Sequence, residues 1–266
     1  MRIKIVSFLA LSLLFSASIF GRNSSDAKLD SLPVGSNSSS STYNFTAKQL
    51  IVPSSLILLG ATGLVENWTR PSVKIQERVV NQWNNPFHTI SIDDYMPYFP
   101  ALAVYGLNIA GVKGKHDFVD RTIILASSAV ITLATIQILK TATHNLRPDG
   151  SAYNSWPSGH TATAFACAEF LHQEYKDKSV WISVSGYTLA TSVGVLRVYN
   201  NRHWLTDVVA GAGFGILGTK AAYWLFPVLK ENIFTCKKAK SKSSSSLFVV
   251  PCYTSNQLGF QLAATF

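Results

Sequence analysis

Three stretches between residues 140 and 207 decide how this chain reads: KTATHNLRP (140–148), PSGH (157–160) and RVYNNRHWLTD (197–207). They contain three cations, Lys140, Arg147 and Arg197, and a Pro157-Ser158-Gly159 turn ahead of an apolar run. Two histidines, His160 and His203, and one carboxylate, Asp207, complete the set. A phosphate monoester carries about two negative charges near neutral pH. Its transfer therefore depends on fixed cations and amide donors more than on covalent chemistry from the protein. At ~4 Å and an effective dielectric of about 20, each cation contributes about 4 kcal/mol before desolvation. The planar arginine forks suit bidentate phosphate contact, whereas Lys140 acts as a point charge. Because PSGH opens a helix, the amides of Ser158, Gly159 and His160 are expected to offer free N–H groups to an anion.

The two histidines separate by their neighbours. His203 precedes Asp207 by four residues on one helical face, where a carboxylate can hold Nδ1–H and leave Nε2 free to attack phosphorus. His160 has no carboxylate within a helical turn and stands beside the phosphate-binding amides. It is placed to protonate the leaving alkoxide and then to activate water. The expected reaction is hydrolysis through a phosphohistidine on His203. A His-x3-Asp spacing alone is compatible with a metal, but three permanent cations around it oppose a divalent ion, so no metal and no cofactor is expected. Taken singly, each cluster has a plainer reading. Lys140 and Arg147 fit basic residues at a membrane interface, PSGH fits an ordinary helix start, and His144 fits a helix end. Their joint occurrence carries the argument.

The spacings Lys140-x6-Arg147-Pro148, Pro157-Ser158-Gly159-His160 and Arg197-x5-His203-x3-Asp207 resemble the tripartite signature of the type 2 phosphatidic acid phosphatase (PAP2) superfamily. That superfamily also includes soluble bacterial acid phosphatases and vanadium haloperoxidases. The resemblance extends over the hydrophobic segments from about 96 to 229. It implies an all-α, six-helix bundle of the PAP2 type in which His203, His160 and Asp207 are catalytic and Lys140, Arg147, Ser158, Gly159 and Arg197 bind phosphate. One position departs: the third motif usually begins with Ser, and here Leu196 stands there, which implies a tuned site. Lipids implied as substrates are lipid A, undecaprenyl diphosphate, phosphatidylglycerol phosphate and phosphatidic acid.

Working outward, the 266 residues are 47% hydrophobic and only 14% charged, which favours one core and points toward a membrane. The net charge of +9 is not spread as a basic face interleaved with aromatics, so nucleic acid is not expected as a partner. Much of it lies in Lys230, Lys237, Lys238, Lys240 and Lys242, which read as a cytoplasmic, positive-inside tail. Cys167, Cys236 and Cys252 make an odd count that describes no disulfide framework, and Cys167 reads as a small core residue.

The chain divides into four parts. Residues 1–21 read as a signal peptide or N-terminal apolar segment, and 22–48 as a Ser/Asn-rich linker. Residues 49–230 read as the helical phosphatase domain, and 231–266 as a basic, β-like tail with strands at 247–250 and 259–266. Within the domain, apolar segments lie at 49–65, 96–112, 120–139, 159–172, 179–198 and 205–229. Asp93, Asp94 and Asp120 are expected to cap helices. The segment 49–65 is the one expected not to span, leaving a periplasmic site in the inner membrane. A soluble secreted acid phosphatase would share all three clusters. A haloperoxidase would be much longer, and a non-catalytic membrane scaffold or transporter would not need His203 and Asp207 together. The membrane lipid phosphatase is the reading adopted.

Overall fold

Long apolar runs broken by Pro, Gly and Asp become helices. The structure, a computed structural model, describes residues 46–64, 74, 77–78, 91–233, 246–254 and 257–265. The expected signal peptide, the linker up to 45, most of 65–90 and the lysines beyond 233 lie outside the described residues. Six α-helices run through the described part: α1 (Lys48–Ala61), α2 (Phe99–Ile109), α3 (Phe118–Thr143), α4 (Gly159–Tyr175), α5 (Val180–Tyr199) and α6 (Leu205–Ile233). Two 3-10 turns, Ser91–Asp94 and Met96–Tyr98, lead into α2. A β-hairpin follows the bundle, β1 (Ser246–Thr254) pairing antiparallel with β2 (Gln257–Thr265) from Ser246↔Thr265 to Thr254↔Gln257. The six helices and the two-stranded tail match the architecture read from the sequence.

Two capping expectations are corrected. Asp93 and Asp94 do not cap α2, which begins at Phe99 with Pro100 in its first turn. They sit in the preceding 3-10 turn, with Asp93 buried. Helix α3 has Asp117 rather than Asp120 as its N-cap residue; Asp120 lies in the first turn and pairs with Lys230 at 2.6 Å.

Helix α4 is the centre of the bundle, buried along most of its length. At one end, Val104, Ile124, Phe170, Tyr175, Tyr223 and Phe226 form a core cluster. At the other, Ile57, Ile136, Leu139, Trp156, Ala162, Ala210 and Phe214 form a second. Glycines on α6 allow close helix contact of the kind that small residues permit in apolar bundles. A Cβ at Gly215 would collide with the Ala162 carbonyl oxygen of α4, which is backbone and cannot swing aside. Overpacking of this kind costs about 1–3 kcal/mol or more. Gly215→Val is therefore expected to lower the thermal midpoint of the detergent-solubilised protein by several degrees; an unchanged midpoint would mean that α4 and α6 pack more loosely than described.

Among the described residues, α3 and α6 (Leu205–Lys230) are long and apolar enough to cross a membrane. They differ in setting. The most apolar stretch of α6 is 61% buried, whereas that of α3 is only 28% buried and turns Val130, Leu133 and Ile138 outward. Helix α1 has 14 residues, about 21 Å at 1.5 Å each, short of a ~30 Å hydrocarbon core.

The end of the bundle away from the motifs is closed by polar contacts. Glu174, on the last turn of α4, accepts from His116 Nδ1 and from Tyr223 OH, each at 2.7 Å. Buried Arg121 donates to the His116 carbonyl at 2.8 Å. A carboxylate so far inside is tolerated because it is hydrogen-bonded and paired.

Candidate active site

The motif residues come together because four helix ends meet at one end of the bundle. Helix α3 stops at His144, which adopts a left-handed conformation (φ 47°) with its amide on the Lys140 carbonyl at 3.3 Å. Histidine tolerates this region better than most residues, and the turn releases the chain into the 145–158 loop. His144 is thus a helix-end residue, exposed on the loop side. The Lys140 side chain donates to the Asn154 carbonyl. A Cβ on Gly159 would stand 3.8 Å from Lys140 Cε, which puts this cation beside the start of α4.

The loop is bound to its surroundings from within. Arg147 N donates to Ala152 O at 3.0 Å and Ser155 N to Asn145 O at 2.9 Å. Trp156, fully buried, donates Nε1–H to Gly60 O of α1 at 3.1 Å. Asp149 pairs with Arg202 at 3.3 Å. Partial burial raises the Asp149 pKa, but the Ser151 hydroxyl and amide, then Arg202 and Arg147, outweigh it and hold the carboxyl below its ordinary range.

Helix α5 ends in a Schellman motif that explains the Arg197-x5-His203 spacing. Asn201 takes the left-handed position (φ 55°), its amide reaching Val198 O at 3.0 Å, while Arg202 N reaches Arg197 O at 3.1 Å. The turn folds the chain back so that His203 N lies 3.3 Å from the same Arg197 carbonyl. Helix α6 then starts, and Asp207 at its third position accepts the Trp204 amide at 3.0 Å, the reach-back half of a capping box. The Asp207 Oδ2 that makes this bond also accepts from Ser155 Oγ and stands 3.6 Å from His203 Nδ1. Both His203 and Asp207 are buried. At 3.6 Å the pair is close without being hydrogen-bonded, and His203 Nδ1 and Asp207 Oδ1 have no hydrogen-bond partner. Burial pushes the His203 pKa below its ordinary value; Asp207 opposes this, and Lys140 and Arg197 reinforce it. Burial thus favours the neutral imidazole.

One expectation about the turn is overturned. Ser158 does not present a free amide: its N–H donates to the Asp207 carbonyl at 3.0 Å, and its buried hydroxyl pairs with Thr161 Oγ1 at 2.9 Å. Ser158 joins the start of α4 to the start of α6, leaving the first-turn amides of Gly159 and His160 as the donors that no intrahelical carbonyl can satisfy.

Arg197 is buried and held at NH1 by Asp93 Oδ2 at 2.8 Å and Asp94 Oδ1 at 3.3 Å. Asn200 Nδ2 also donates to Asp93 Oδ2, at 3.0 Å. His160, without a carboxylate nearby in sequence, has one in space: its Nε2 lies 3.1 Å from Asp94 Oδ1. Asp93, Asp94 and Ser155 are the site residues that motif reading missed. A paired Asp-Asp in a polar stretch was the one visible signal, and it reads equally as a cap. Leu196, which stands where the resembled motif usually has Ser, lines an outer groove of α5 with Val195 and Ser192. His172 Nδ1 is 2.9 Å from Ser183 Oγ in the same groove.

With this geometry in place, comparison with known proteins is specific. Residues 121–231 match the model of the PAP2 superfamily. The chain is 41% identical over 140 residues to a lipid A 1-phosphatase of Porphyromonas gingivalis, covering 52% of this chain and 31% of that protein. It is 36% identical over 76 residues to the bacitracin transport permease protein BcrC of Bacillus licheniformis, covering 29% of this chain and 36% of that one. The chain thus spans about a third of the length of the curated relatives it matches. Among solved structures, Aquifex aeolicus LpxE aligns with a TM-score of 0.41 at 20% identity, covering 56% of this chain and 92% of that one. A PAP2-type phosphatidylglycerolphosphate phosphatase from Bacillus subtilis aligns with a TM-score of 0.39 at 20% identity, covering 70% and 99%.

Proposed function

From the match of residues 121–231 to the model of the PAP2 superfamily, we propose that this protein is a metal-independent lipid phosphatase acting through a phosphohistidine. The observation that carries the reading is the meeting of Lys140, Arg147 and Arg197 with a buried His203 beside Asp207 at one end of the bundle. In the proposed reaction the cations and the Gly159 and His160 amides hold the phosphoryl oxygens. His203 Nε2 attacks phosphorus, Asp207 steadies the imidazolium that forms, and His160 protonates the departing oxygen. His160 then takes a proton from water as the water attacks the phosphohistidine, releasing inorganic phosphate.

The membrane setting rests on the outward apolar face of α3. A large apolar patch facing water is a liability, whereas facing lipid it is satisfied. A site at helix ends is level with lipid head groups, so the substrate is read as a phosphorylated lipid. The similarity to a lipid A 1-phosphatase makes phosphorylated lipid A the first lipid to test, ahead of undecaprenyl diphosphate, phosphatidylglycerol phosphate and phosphatidic acid. The site sits at the start of α6, and the lysine cluster follows its other end. If that cluster is cytoplasmic, the site faces the periplasm.

The test is phosphate release by detergent-purified protein from these four lipids, with chelator present. Release that survives chelator identifies the lipid and supports the mechanism. If no lipid releases phosphate, the phosphatase reading fails, and a transport role, suggested by the segment shared with the permease, takes its place.

A further inference from the structure

The 3-10 turn Ser91–Asp94 brings two adjacent carboxylates to the site from outside the three motifs, and they do different things. Asp93 is 2% exposed and immobilised, with both Arg197 NH1 (2.8 Å) and Asn200 Nδ2 (3.0 Å) on its Oδ2. Asp94 is 54% exposed, and its Oδ1 lies between Arg197 NH1 (3.3 Å) and His160 Nε2 (3.1 Å). We propose that Asp94 is the positioning residue for the leaving-group proton: it orients His160 and keeps Nε2 protonated until the ester oxygen of a substrate takes its place as acceptor. This rests on the phosphatase reading above.

The electrostatics around His160 need such a group. Burial first and then Arg197 disfavour the imidazolium and hold the His160 pKa below its ordinary value, while Asp94 and Asp93 oppose them. Without a neighbouring carboxylate, a histidine among the cations that phosphate binding requires would lose its proton before it could serve as an acid. The two histidines then form complementary pairs. Asp207 lies at Nδ1 of His203, leaving a neutral Nε2 to attack, whereas Asp94 lies at Nε2 of His160, storing the proton to be given away. In the first step the His203 Nε2–P bond forms as the ester P–O bond breaks. The electron pair leaves on the ester oxygen, which takes the His160 proton. In the second step water attacks phosphorus, the P–N bond breaks and His160 recovers a proton from that water, returning to Asp94 as imidazolium.

The experiment compares wild type with Asp94→Asn on two substrates: the lipid phosphate that wild type hydrolyses, and 4-nitrophenyl phosphate, whose phenolate departs without a proton. The half-exposed position makes the substitution compatible with folding, and turnover of the aryl ester reports on the intact site. Expected is a loss of about 10- to 100-fold in kcat on the lipid with KM little changed, a loss under about threefold on the aryl ester, and a basic limb of the lipid profile moved to lower pH. Equal losses on both substrates, or a raised KM with kcat unchanged, would assign Asp94 to anchoring Arg197 and overturn the proposal. Unchanged kinetics on both would overturn it as well. A wild-type protein inactive on every lipid would instead remove the phosphatase reading on which the proposal stands.

Discussion

His203→Gln is expected to lower phosphate release by about 10^3-fold or more, to the background left by substrate binding and charge stabilisation alone. Glutamine retains much of the volume and polarity of the ring, so the buried pocket beside Asp207 stays filled and the thermal midpoint changes little. The discriminating measurement is a rapid-quench experiment with substrate labelled at the phosphoryl group. Wild type should give a labelled protein that is stable to base and labile to acid, as a phosphoramidate is, and His203→Gln should give none. His160→Asn should still form the labelled species from an activated aryl phosphate while turning it over slowly, because attack needs His203 and hydrolysis needs the proton relay. Label retained in His203→Gln would move the nucleophile elsewhere, and His160 would be the first alternative.

The reach of the sequence is clearest in what is local. The helices were legible because apolar runs are bounded by breakers: Pro148 and Pro157 stand on either side of the loop, and Ser158 is the N-cap of α4. The pairing of His203 with Asp207 was legible because both lie within one turn at a helix start. Contacts between distant segments were hidden. Nothing near His160 or Arg197 announces Asp93 and Asp94, which arrive from a turn far earlier in the chain, 103 residues before Arg197 in the case of Asp94, only because helix packing closes that distance. The misreading of the Ser158 amide has the same origin. A helix start normally leaves its first amides free, but the close contact of α4 with α6 turned this one toward the Asp207 carbonyl. The partners of His116 and His172 were likewise supplied by neighbouring helices.

Those inter-element contacts also separate the charge of Asp207 from its structural work. Asp207→Asn keeps an oxygen for the Trp204 amide and for Ser155 Oγ, so the capping box and the loop contact survive and the fold is expected to hold within about 1 kcal/mol. The rate should nevertheless fall on the order of 10^3- to 10^4-fold, because an amide neither stabilises the imidazolium formed on attack nor selects the tautomer with Nε2 free. The pH dependence carries the sign. In wild type, burial holds the His203 pKa below its ordinary value. Activity limited by this group therefore persists below pH ~6.5 and is lost only as pH falls through the lowered value. Stability follows the same direction: the contribution of a neutral buried His203 is present above its unfolded pKa and is lost as acid protonates it. In Asp207→Asn the carboxylate that opposes this lowering is gone, so the acid limb of the residual activity should move further down, not up. A variant as fast as wild type, or an acid limb moved to higher pH, would mean that Asp207 holds the loop and the helix start together without taking part in phosphoryl transfer.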